Sequence, residues 1–573
     1  MRSTWIAPLL AAVLCAMRFA AFAQDAGADM EMQRFAAPTS MKAALWTDKL
    51  GYATGEQISL YATLDRMGDE TPYRLYFYLE NIETGDRTYY VFTDPANEKI
   101  GPSTAASAVD VNGAAAGDIS LGVPALMQHR LFFGTVPAPG LWHFVGEVRA
   151  PNGSQVVKKA YAKFVVSGQP PVELGADGQD TEIAMDTTWT NDTIYKVYHQ
   201  VFVNPGATLT IEPGTLIQAK GQNAVIVVEK GAKIMADGRR EAPIVMTCDA
   251  PVGLRESGCW AGLVVLGNAP MTRGTGLAEG VIPETRPIYG GDDPTDSSGV
   301  LRYVRVEFAG VDFNPETQPN AFGFHGIGSG TVISHIQAHE GEDDGIEFFG
   351  GTADCMYCVS SGSKDDSLDW AFGWTGTAQY VFIQQDPQGD NGIEADNDSS
   401  GFDRTPRSHP ALYNVTMVGG LYQDMNSTSG DGMRIRVGTA ITARNVLTMG
   451  FGGDALDVQD NSPSFFMDGT SSVKNSIITM NGGKTGMEQF RGGVESMVGY
   501  IDSDPMLINV RYEANPDPRP TVGSPALAIG AAATPPSDGT LDTSAQCVGA
   551  FCNDENWLEE WTFFGDEFDY DVP

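Results

Sequence analysis

The sequence predicts an all-β chain in which a β-sandwich is followed by a long solenoid of β-coils. Three observations favour this class. Glycine and proline are frequent, at 66 and 33 of the 573 residues, while charged residues make up only 19%; that balance is typical of turn-rich β proteins. Short strands with alternating polarity recur along most of the chain. In its second part the chain also repeats itself at intervals of about one coil.

The composition is strongly acidic. Lys and Arg number 36 against 73 Asp and Glu, which gives a formal net charge of −37. Binding to nucleic acids or to anionic membranes depends on basic surface clusters, so we expect neither partner. Hydrophobic residues at 42%, with 10% aromatics, suffice for packed cores. The acidity therefore belongs to a folded protein and does not indicate disorder.

Residues 1–23 read as a secretory signal peptide. Arg2 gives a positive start, an apolar run follows, and Ala21-Phe22-Ala23 precedes Gln24 in the small-x-small pattern of a cleavage site. The apolar run is shorter than the roughly 20 residues that span a bilayer, and no later segment is long enough, so no transmembrane segment is expected. We expect export to the periplasm, the cell surface or the medium.

Cysteine usage fits an exported protein. The six cysteines after residue 23 form three close pairs: Cys248 with Cys259, Cys355 with Cys358, and Cys547 with Cys552. Local disulfides are the simplest interpretation in an oxidising compartment. A redox role for the Cys-x-x-Cys pair is the alternative, although no thioredoxin-like βαβ pattern surrounds it.

The predicted order of units begins with a small, polar linker at 24–40 and a β-sandwich at 41–167. Within the sandwich, Ile58–Leu64 and Tyr161–Val166 alternate in polarity as half-buried strands do. The stretch Trp46–Glu56 resembles the opening of immunoglobulin-like and macroglobulin-type modules of secreted proteins. The resemblance implies a spacer or adhesive unit.

A Gly- and Pro-containing linker at 168–185 precedes the solenoid. Asn204–Thr215, Ala224–Val228 and Trp260–Leu266 are short strands separated by Gly or Pro turns. These residues resemble the opening coils of secreted right-handed parallel β-helix proteins, the pectate-lyase-like superfold, especially its bacterial surface-protein branch. The resemblance implies a right-handed parallel β-helix over 186–573, with an aromatic C-terminal cap on the last coil. It is far more specific for fold than for activity.

The middle of the solenoid contains an internal repeat. Five segments share one form, with Asp or Asn at the second position and Ile, Leu or Met at the fourth: 343–347, 365–369, 390–394, 430–434 and 453–457. A second column precedes them at His335, Cys358, Tyr380, Asn414, Asn445 and Asn475. Equivalent residues of neighbouring coils stack about 4.8 Å apart. The stacked Asp and Asn side chains either bind backbone amides at their turns, are protonated, or hold cations.

Strand alternation places Glu347, Asp369 and Glu394 outside, opposite the inward apolar residues, and so predicts an exterior acidic stripe. Together with Asp343, Asp365 and Asp396 it offers enough oxygen ligands for Ca²⁺. Calcium binding is therefore one hypothesis, and a solvated acidic face is the alternative. No nonapeptide array or EF-hand loop supports calcium, and no sequence motif indicates an organic cofactor.

The resemblance also implies two enzymatic alternatives. In a Ca²⁺-dependent polysaccharide lyase, Arg434 or Arg436 would act as the base. In a glycoside hydrolase, Asp365, Asp366 and Asp369 would supply the acid and the base. The hydrolase pattern has a Gly-His-Gly between its Asp pair and its Arg-Ile-Lys, whereas here His325 precedes the pair. This departure weakens the hydrolase interpretation.

Aromatic residues follow the second repeat. Trp370 and Trp374, beside carboxylates such as Glu394, could stack on sugar rings; the alternative is that both belong to the core. His339 looks like a turn residue without a catalytic partner. We therefore expect noncatalytic binding of an extracellular or surface glycan along the acidic face, with Ca²⁺ as a candidate ligand. A lyase or hydrolase is the first alternative, and a structural surface spacer is the second.

Overall fold

The structure is a computed structural model. It describes residues 42–65, 74–94, 99–102, 126–149, 156–281, 286–311, 318–422, 424–510, 516–528, 530–537, 540–552 and 555–564. The predicted signal peptide and the linker 24–40 lie outside these ranges. Among the described residues, no helix has both the length and the apolarity needed to cross a membrane.

The N-terminal unit consists of two β-sheets. Its strands are β1 (Lys42–Thr47), β2 (Gly51–Ala53), β3 (Gln57–Asp65), β4 (Arg74–Asn81), β5 (Arg87–Asp94), β6 (Lys99–Pro102), β7 (Leu126–Thr135), β8 (Gly140–Arg149) and β9 (Val156–Ser167). One sheet has the order β1-β3-β7 and the other β2-β9-β8-β4-β5-β6. All pairs are antiparallel except β2 with β9.

The two sheets enclose one apolar core. Leu60, Phe144, Phe164 and Val166 are almost fully buried in it, because every second residue of these strands faces the opposite sheet. The predicted sandwich is thus present as two packed sheets. Its resemblance to immunoglobulin-like modules stays a prediction.

The solenoid begins with short strands and continues with longer ones. Its first coils contain β10 (Val172–Leu174), β11 (Thr181–Ile183), β12 (Thr187–Trp189), β13 (Tyr195–Val197), β14 (Val201–Val203), β15 (Thr208–Ile211), β16 (Leu216–Ala219), β17 (Gly221–Val228), β18 (Lys233–Asp237), β19 (Ile244–Cys248) and β20 (Trp260–Leu266). An antiparallel hairpin, β21 (Gly276–Leu277) and β22 (Ile288–Tyr289), lies in an insertion that follows.

The later coils contain β23 (Gly299–Glu307), β24 (Phe322–His325), β25 (Val332–His339), β26 (Ile346–Phe349), β27 (Cys355–Ser361), β28 (Leu368–Ala371), β29 (Thr377–Gln384), β30 (Ile393–Ala395), β31 (Ala411–Val418), β32 (Met433–Ile435), β33 (Thr442–Met449), β34 (Leu456–Val458), β35 (Ser472–Lys474), β36 (Ser476–Thr479), β37 (Phe490–Arg491) and β38 (Tyr500–Ile501). The short helix α1 (Pro463–Asp468) precedes β35, and the antiparallel pair β39 (Leu507–Asn509) and β40 (Asp517–Pro520) follows β38.

Each coil has three parallel faces, as expected for the predicted β-helix. Face A begins with β12, β15 and β18, face B with β10, β13, β16 and β19, and both continue through β23, which pairs with β18 by its first half and with β19 by its second. Face C is the eleven-stranded sheet from β11 to β37. The inward side chains of all three faces form one continuous apolar core.

The corner between faces A and B repeats from coil to coil. Seven non-glycine residues occupy it with φ between 50° and 59°: Tyr303, His335, Tyr357, Tyr380, Asn414, Asn445 and Asn475. Such a left-handed residue bends a long strand onto the next face. The sequence alignment had placed Cys358 in this column, which is wrong. Cys358 pairs with Ile336 and faces the core, and the corner residue is Tyr357, whose ring stacks between His335 and Tyr380.

Two predicted boundaries differ from the structure. The first coil begins at Val172, inside the predicted linker 168–185, because three-residue strands between Gly and Pro carry no periodic signal. The aromatic C-terminal segment does not cover the last coil. Trp561 contacts the rings of Tyr303 and His335 instead, at the level of much earlier coils.

The described residues between Leu507 and Phe564, here called the strap, run back along the outside of faces A and B. These described residues have little regular structure, and several of their backbone carbonyls accept hydrogen bonds from side chains of the solenoid. The donors are Gln337, Gln379, Gln384, Asn414, Asn445 and Asn475. Near its end, Glu560 accepts a hydrogen bond from Tyr161 of the sandwich at 2.9 Å. The strap therefore fastens the two units together.

All three predicted disulfides are present, joining Cys248 to Cys259, Cys355 to Cys358 and Cys547 to Cys552. Each closes a short loop, and the last belongs to the strap.

Candidate functional site

The outer side of face C carries the predicted acidic stripe. Strand pairing aligns Glu347, Asp369, Glu394, Arg434 and Asp457 on successive coils. The neighbouring residues at each level are inward and apolar, as strand alternation requires. The predicted register is confirmed, and Arg434 continues the acidic column directly.

The turns that lead into face C form a second column. Each side chain of this column accepts a hydrogen bond from the backbone amide of the equivalent residue one coil later. The pairs are Asp344 with Asp366, Asp366 with Asn391, Asn391 with Asp431 and Asp431 with Asp454, at 2.6 to 2.9 Å. The alternative of bonding to backbone amides is confirmed for this column. Asp366, proposed from sequence as a catalytic residue, is a 4% exposed member of the ladder, and its catalytic role stays a prediction.

Between the ladder and the stripe, carboxylates crowd together. Three sets have carboxylate oxygens within 4.8 Å of one another: Asp343, Asp344 and Asp365; Asp344, Glu347 and Asp369; and Asp365, Asp366 and Asp390. The first and third sets are the same arrangement repeated one coil later. Asn320, which is 2% exposed, donates to Glu347 Oε2 at 2.6 Å. These oxygens are the ligand type that hard divalent cations prefer.

Burial and mutual repulsion raise the pKa of these groups. Burial is the main cause for Asp344, Glu347 and Asp369, whose pKa values lie well above the usual range, and neighbouring carboxylates add to it. Burial also raises the pKa of Glu394 to about 7, against the lowering effect of Arg436. A bound proton or a bound cation would each relieve this repulsion.

A pH titration of stability should report this cluster. In the presence of a chelator, Asp369→Asn should become more stable relative to wild type as the pH rises above about 4, the ordinary pKa of Asp in an unfolded chain. Folded Asp369 keeps its proton above that pH, so each pH unit between the unfolded and folded pKa values costs the wild type up to about 1.4 kcal/mol. The substituted amide cannot titrate. Urea unfolding at several pH values measures the difference.

The matched control is Asp177→Asn, on an exposed turn outside the carboxylate cluster. A stability difference between Asp369→Asn and wild type that does not change with pH would contradict the raised pKa of Asp369.

Two arginines, Arg434 and Arg436, lie on the coil that follows Glu394 in face C. Arg434 pairs with Asp390 and Asp431, both at 3.1 Å, and Arg436 pairs with Asp396 at 2.9 Å and with Glu394. Burial lowers the pKa of both guanidinium groups, but the carboxylates raise it overall. Such arginines are poor proton acceptors. The geometry therefore disagrees with their predicted role as the base of a lyase.

A family comparison agrees with this architecture. Residues 181–498, more than half of the chain, match the family model described as a pectate-lyase like beta helix domain. The chain belongs to this family. No curated protein and no solved structure matches it. The pectate-lyase-like domain accounts for the three-faced coil, but a fold that hosts many chemistries does not specify one of them.

Within this pectate-lyase-like domain, the predicted sugar-stacking tryptophans are not at the surface. Trp370 and Trp374 are each 0% exposed. Trp370 Nε1 donates to Thr439 Oγ1 at 3.1 Å, and Trp374 stacks on Phe348 with ring centroids 4.2 Å apart. Both belong to the core, so the prediction that they bind a ligand is wrong. Glu394, by contrast, does lie on the outer face.

Sequence reasoning missed the residues that border the stripe from one side. Glu279 lies between β21 and β22, in the insertion, and Asn320 Nδ2 lies 3.4 Å from its Oε1. Burial raises the pKa of Glu279 to about 7. Asn320 stands two residues before Phe322, which pairs with Ile346, so it occupies the position of Asp344 one coil earlier. The repeat of Asp or Asn, a small residue and an apolar residue could have placed Asn320, whereas Glu279 follows no period.

Proposed function

We propose that the protein is an exported, noncatalytic β-helix protein that binds a glycan along face C, with Ca²⁺ bound among the carboxylates. The observation that carries the proposal is the row of outward carboxylates Glu347, Asp369 and Glu394, aligned on successive coils and each raised in pKa, beside the three crowded carboxylate sets. Such a row is costly unless something positive occupies it. Ca²⁺ accepts six to eight oxygen ligands in flexible geometry and suits these side chains.

Bound cations would also explain how so acidic a face could bind a sugar. Divalent cations bridge carboxylates to sugar hydroxyls or acidic groups, and Glu394 and Asp396 with their arginine partners can donate and accept hydrogen bonds at the rim. Three disulfides favour a protein that works outside the cytoplasm. Export itself is part of the proposal.

Calorimetry tests cation binding. Wild type should bind Ca²⁺ saturably, and the double substitution Asp365→Asn with Asp369→Asn should weaken binding at least tenfold, because the three carboxylate sets all contain one of these residues. Asp177→Asn with Asp403→Asn, on exposed turns, is the matched control and should leave the heats unchanged. Equal heats for all three proteins would end the calcium proposal.

A glycan array with and without a chelator tests the sugar ligand. We expect binding that depends on Ca²⁺ and is lost in the Asp365→Asn, Asp369→Asn protein. Binding that survives both the chelator and the substitutions would place the glycan site elsewhere. No binding to any glycan would favour the structural spacer.

A second candidate, an Asp-dependent glycoside hydrolase, is favoured by the raised pKa of Glu394. A carboxyl group with a pKa of about 7 can donate a proton at neutral pH, as the acid of such enzymes does. Polymer degradation that Glu394→Gln reduces by at least 100-fold would support this candidate. A lyase would instead release unsaturated products from uronate polymers, which absorb in the ultraviolet.

A further inference from the structure

Beneath the end of the strap, the outer side of face B is polar. Strand pairing stacks Glu307, His339 and Ser361 on three successive coils. Each of the three is 0% exposed. Permanently buried surfaces are usually apolar, and a buried set containing a carboxylate, an imidazole and a hydroxyl group is unusual.

Ser361 and His339 are in direct contact, and Glu307 occupies the same register position on the coil before His339. Ser361 Oγ lies 3.0 Å from His339 Nδ1, and the charge of Glu307 acts on the imidazole. Arg305 and Arg255 pair with Glu307 at 2.8 and 3.2 Å. Burial would raise the pKa of Glu307, but the two arginines lower it overall, which keeps the carboxylate ionised beside His339.

Two of these residues also support the side chains that hold the strap: Ser361 Oγ accepts from Gln337 Nε2 at 3.1 Å, and Glu307 pairs with Arg305. The strap backbone is held here by Gln337, which donates to Phe563 O at 2.6 Å and accepts from Phe563 N at 2.8 Å, and by Arg305, which donates to Trp561 O. The rings of Phe563 and Phe564 then cover His339. The strap thus seals Ser361 and His339 from solvent.

We propose that Ser361, His339 and Glu307 form a second, catalytic site for hydrolysis of carboxylic esters, kept closed by the end of the strap at 555–564. The arrangement is a nucleophile, a base and an acid in the order that acyl transfer requires. His339 seemed to lack a partner in the sequence because its partners lie one coil away on either side.

The chemistry needs only an ester and water. With His339 Nδ1 unprotonated, it takes the proton of Ser361 as Oγ attacks the ester carbonyl. The alcohol leaves with that proton as the ester C–O bond breaks. Water, activated by the same imidazole, then releases the carboxylic acid and restores Ser361. Glu307 stabilises the imidazolium formed in both steps.

The strap also controls the strength of the base. Burial lowers the pKa of His339 to about 3 in the closed protein, at which an imidazole is a weak base. Opening of the strap admits water and returns the pKa toward its ordinary value near 6.5, which suits a general base at neutral pH. The same movement therefore uncovers Ser361 and activates His339.

The test uses the full chain and a fluorophosphonate probe that reacts with activated serines. Urea is raised below the global unfolding midpoint while hydrogen exchange follows residues 555–564. We expect labelling of Ser361, located by mass spectrometry, to rise at least tenfold as this segment opens. His339→Gln should slow the labelling by about 100-fold when the two proteins are compared at urea concentrations at which hydrogen exchange shows equal opening of residues 555–564.

The matched control is Ser360, which faces the opposite side of the same strand, where its Oγ lies 3.0 Å from Ser363 Oγ, and should stay unlabelled. Labelling that ignores His339→Gln, labelling of Ser360 at the same rate, or no labelling once the segment has opened would each overturn the proposal. So would a strap that opens only when the whole solenoid unfolds. None of these outcomes depends on Ca²⁺ or on face C, so this site and the proposed glycan site fail separately.

Discussion

Trp370→Ala should lower the free energy of unfolding by about 3–5 kcal/mol, the range measured for large aromatic side chains removed from cores. Trp370 is 0% exposed, and its ring lies 5.6 Å from that of Trp374. Removal leaves a cavity that the solenoid cannot easily close, because the coils above and below are held by continuous backbone ladders. It also leaves Thr439 Oγ1 without the hydrogen bond that Trp370 donates.

Urea denaturation followed by circular dichroism measures the change. Met467→Ala is the matched control, because this side chain is large but 64% exposed on α1, and its loss should change stability by less than about 0.5 kcal/mol. Similar small effects for both substitutions would contradict a core position for Trp370 and restore its proposed contact with sugars.

The position of Trp370 could have been read from the sequence. Leu368 is inward and Asp369 outward, so strand alternation places Trp370 inward again. The sugar-binding interpretation gave weight to residue type over register. Trp374 had no such signal, because it follows a turn at Gly373, where φ is 94°, and alternation is lost there.

Register was predictable wherever the chain repeats itself. The spacing of Asp344, Asp366, Asp431 and Asp454 predicts that these positions stack on successive coils, because a parallel solenoid continues by stacking equivalent positions. It left open whether their side chains bind backbone amides, protons or cations. The same reasoning failed at the corner residue Tyr357, because the sequence alignment chose Cys358, the next residue. A shift of one residue moves a side chain to the other side of the strand.

The strap and the insertions were beyond sequence reasoning. Their contacts join residues that are far apart in the chain, such as Gln337 with Phe563, and they follow no period. The aromatic residues of the strap suggested a cap because apolar side chains need cover. The outer side of the solenoid can also bury such side chains. Here the outward rings of Tyr357 and His335 contact Trp557 and Trp561.

The second large effect is expected at Glu307. Glu307→Gln should destabilise the protein by about 3–5 kcal/mol, because it leaves two guanidinium groups buried without their carboxylate. Arg255 and Arg305 are each only 6% exposed. The double variant Arg255→Met, Glu307→Gln should cost less than the sum of the two single substitutions, since the first removes one of the stranded charges.

The stability difference between wild type and Glu307→Gln should depend on pH. Folded Glu307 has a pKa below that of the unfolded chain, so its stabilising effect is complete above about pH 4.3 and is lost as the pH falls through the folded pKa. The gap between wild type and Glu307→Gln should therefore shrink in acid, opposite to the behaviour of Asp369→Asn. A stability difference that is small at neutral pH, or that widens in acid, would mean that Glu307 is not ionised between Arg255 and Arg305.

Because Phe563 lies over both arginines, hydrogen exchange in Glu307→Gln should increase first at residues 555–564, before the coils themselves.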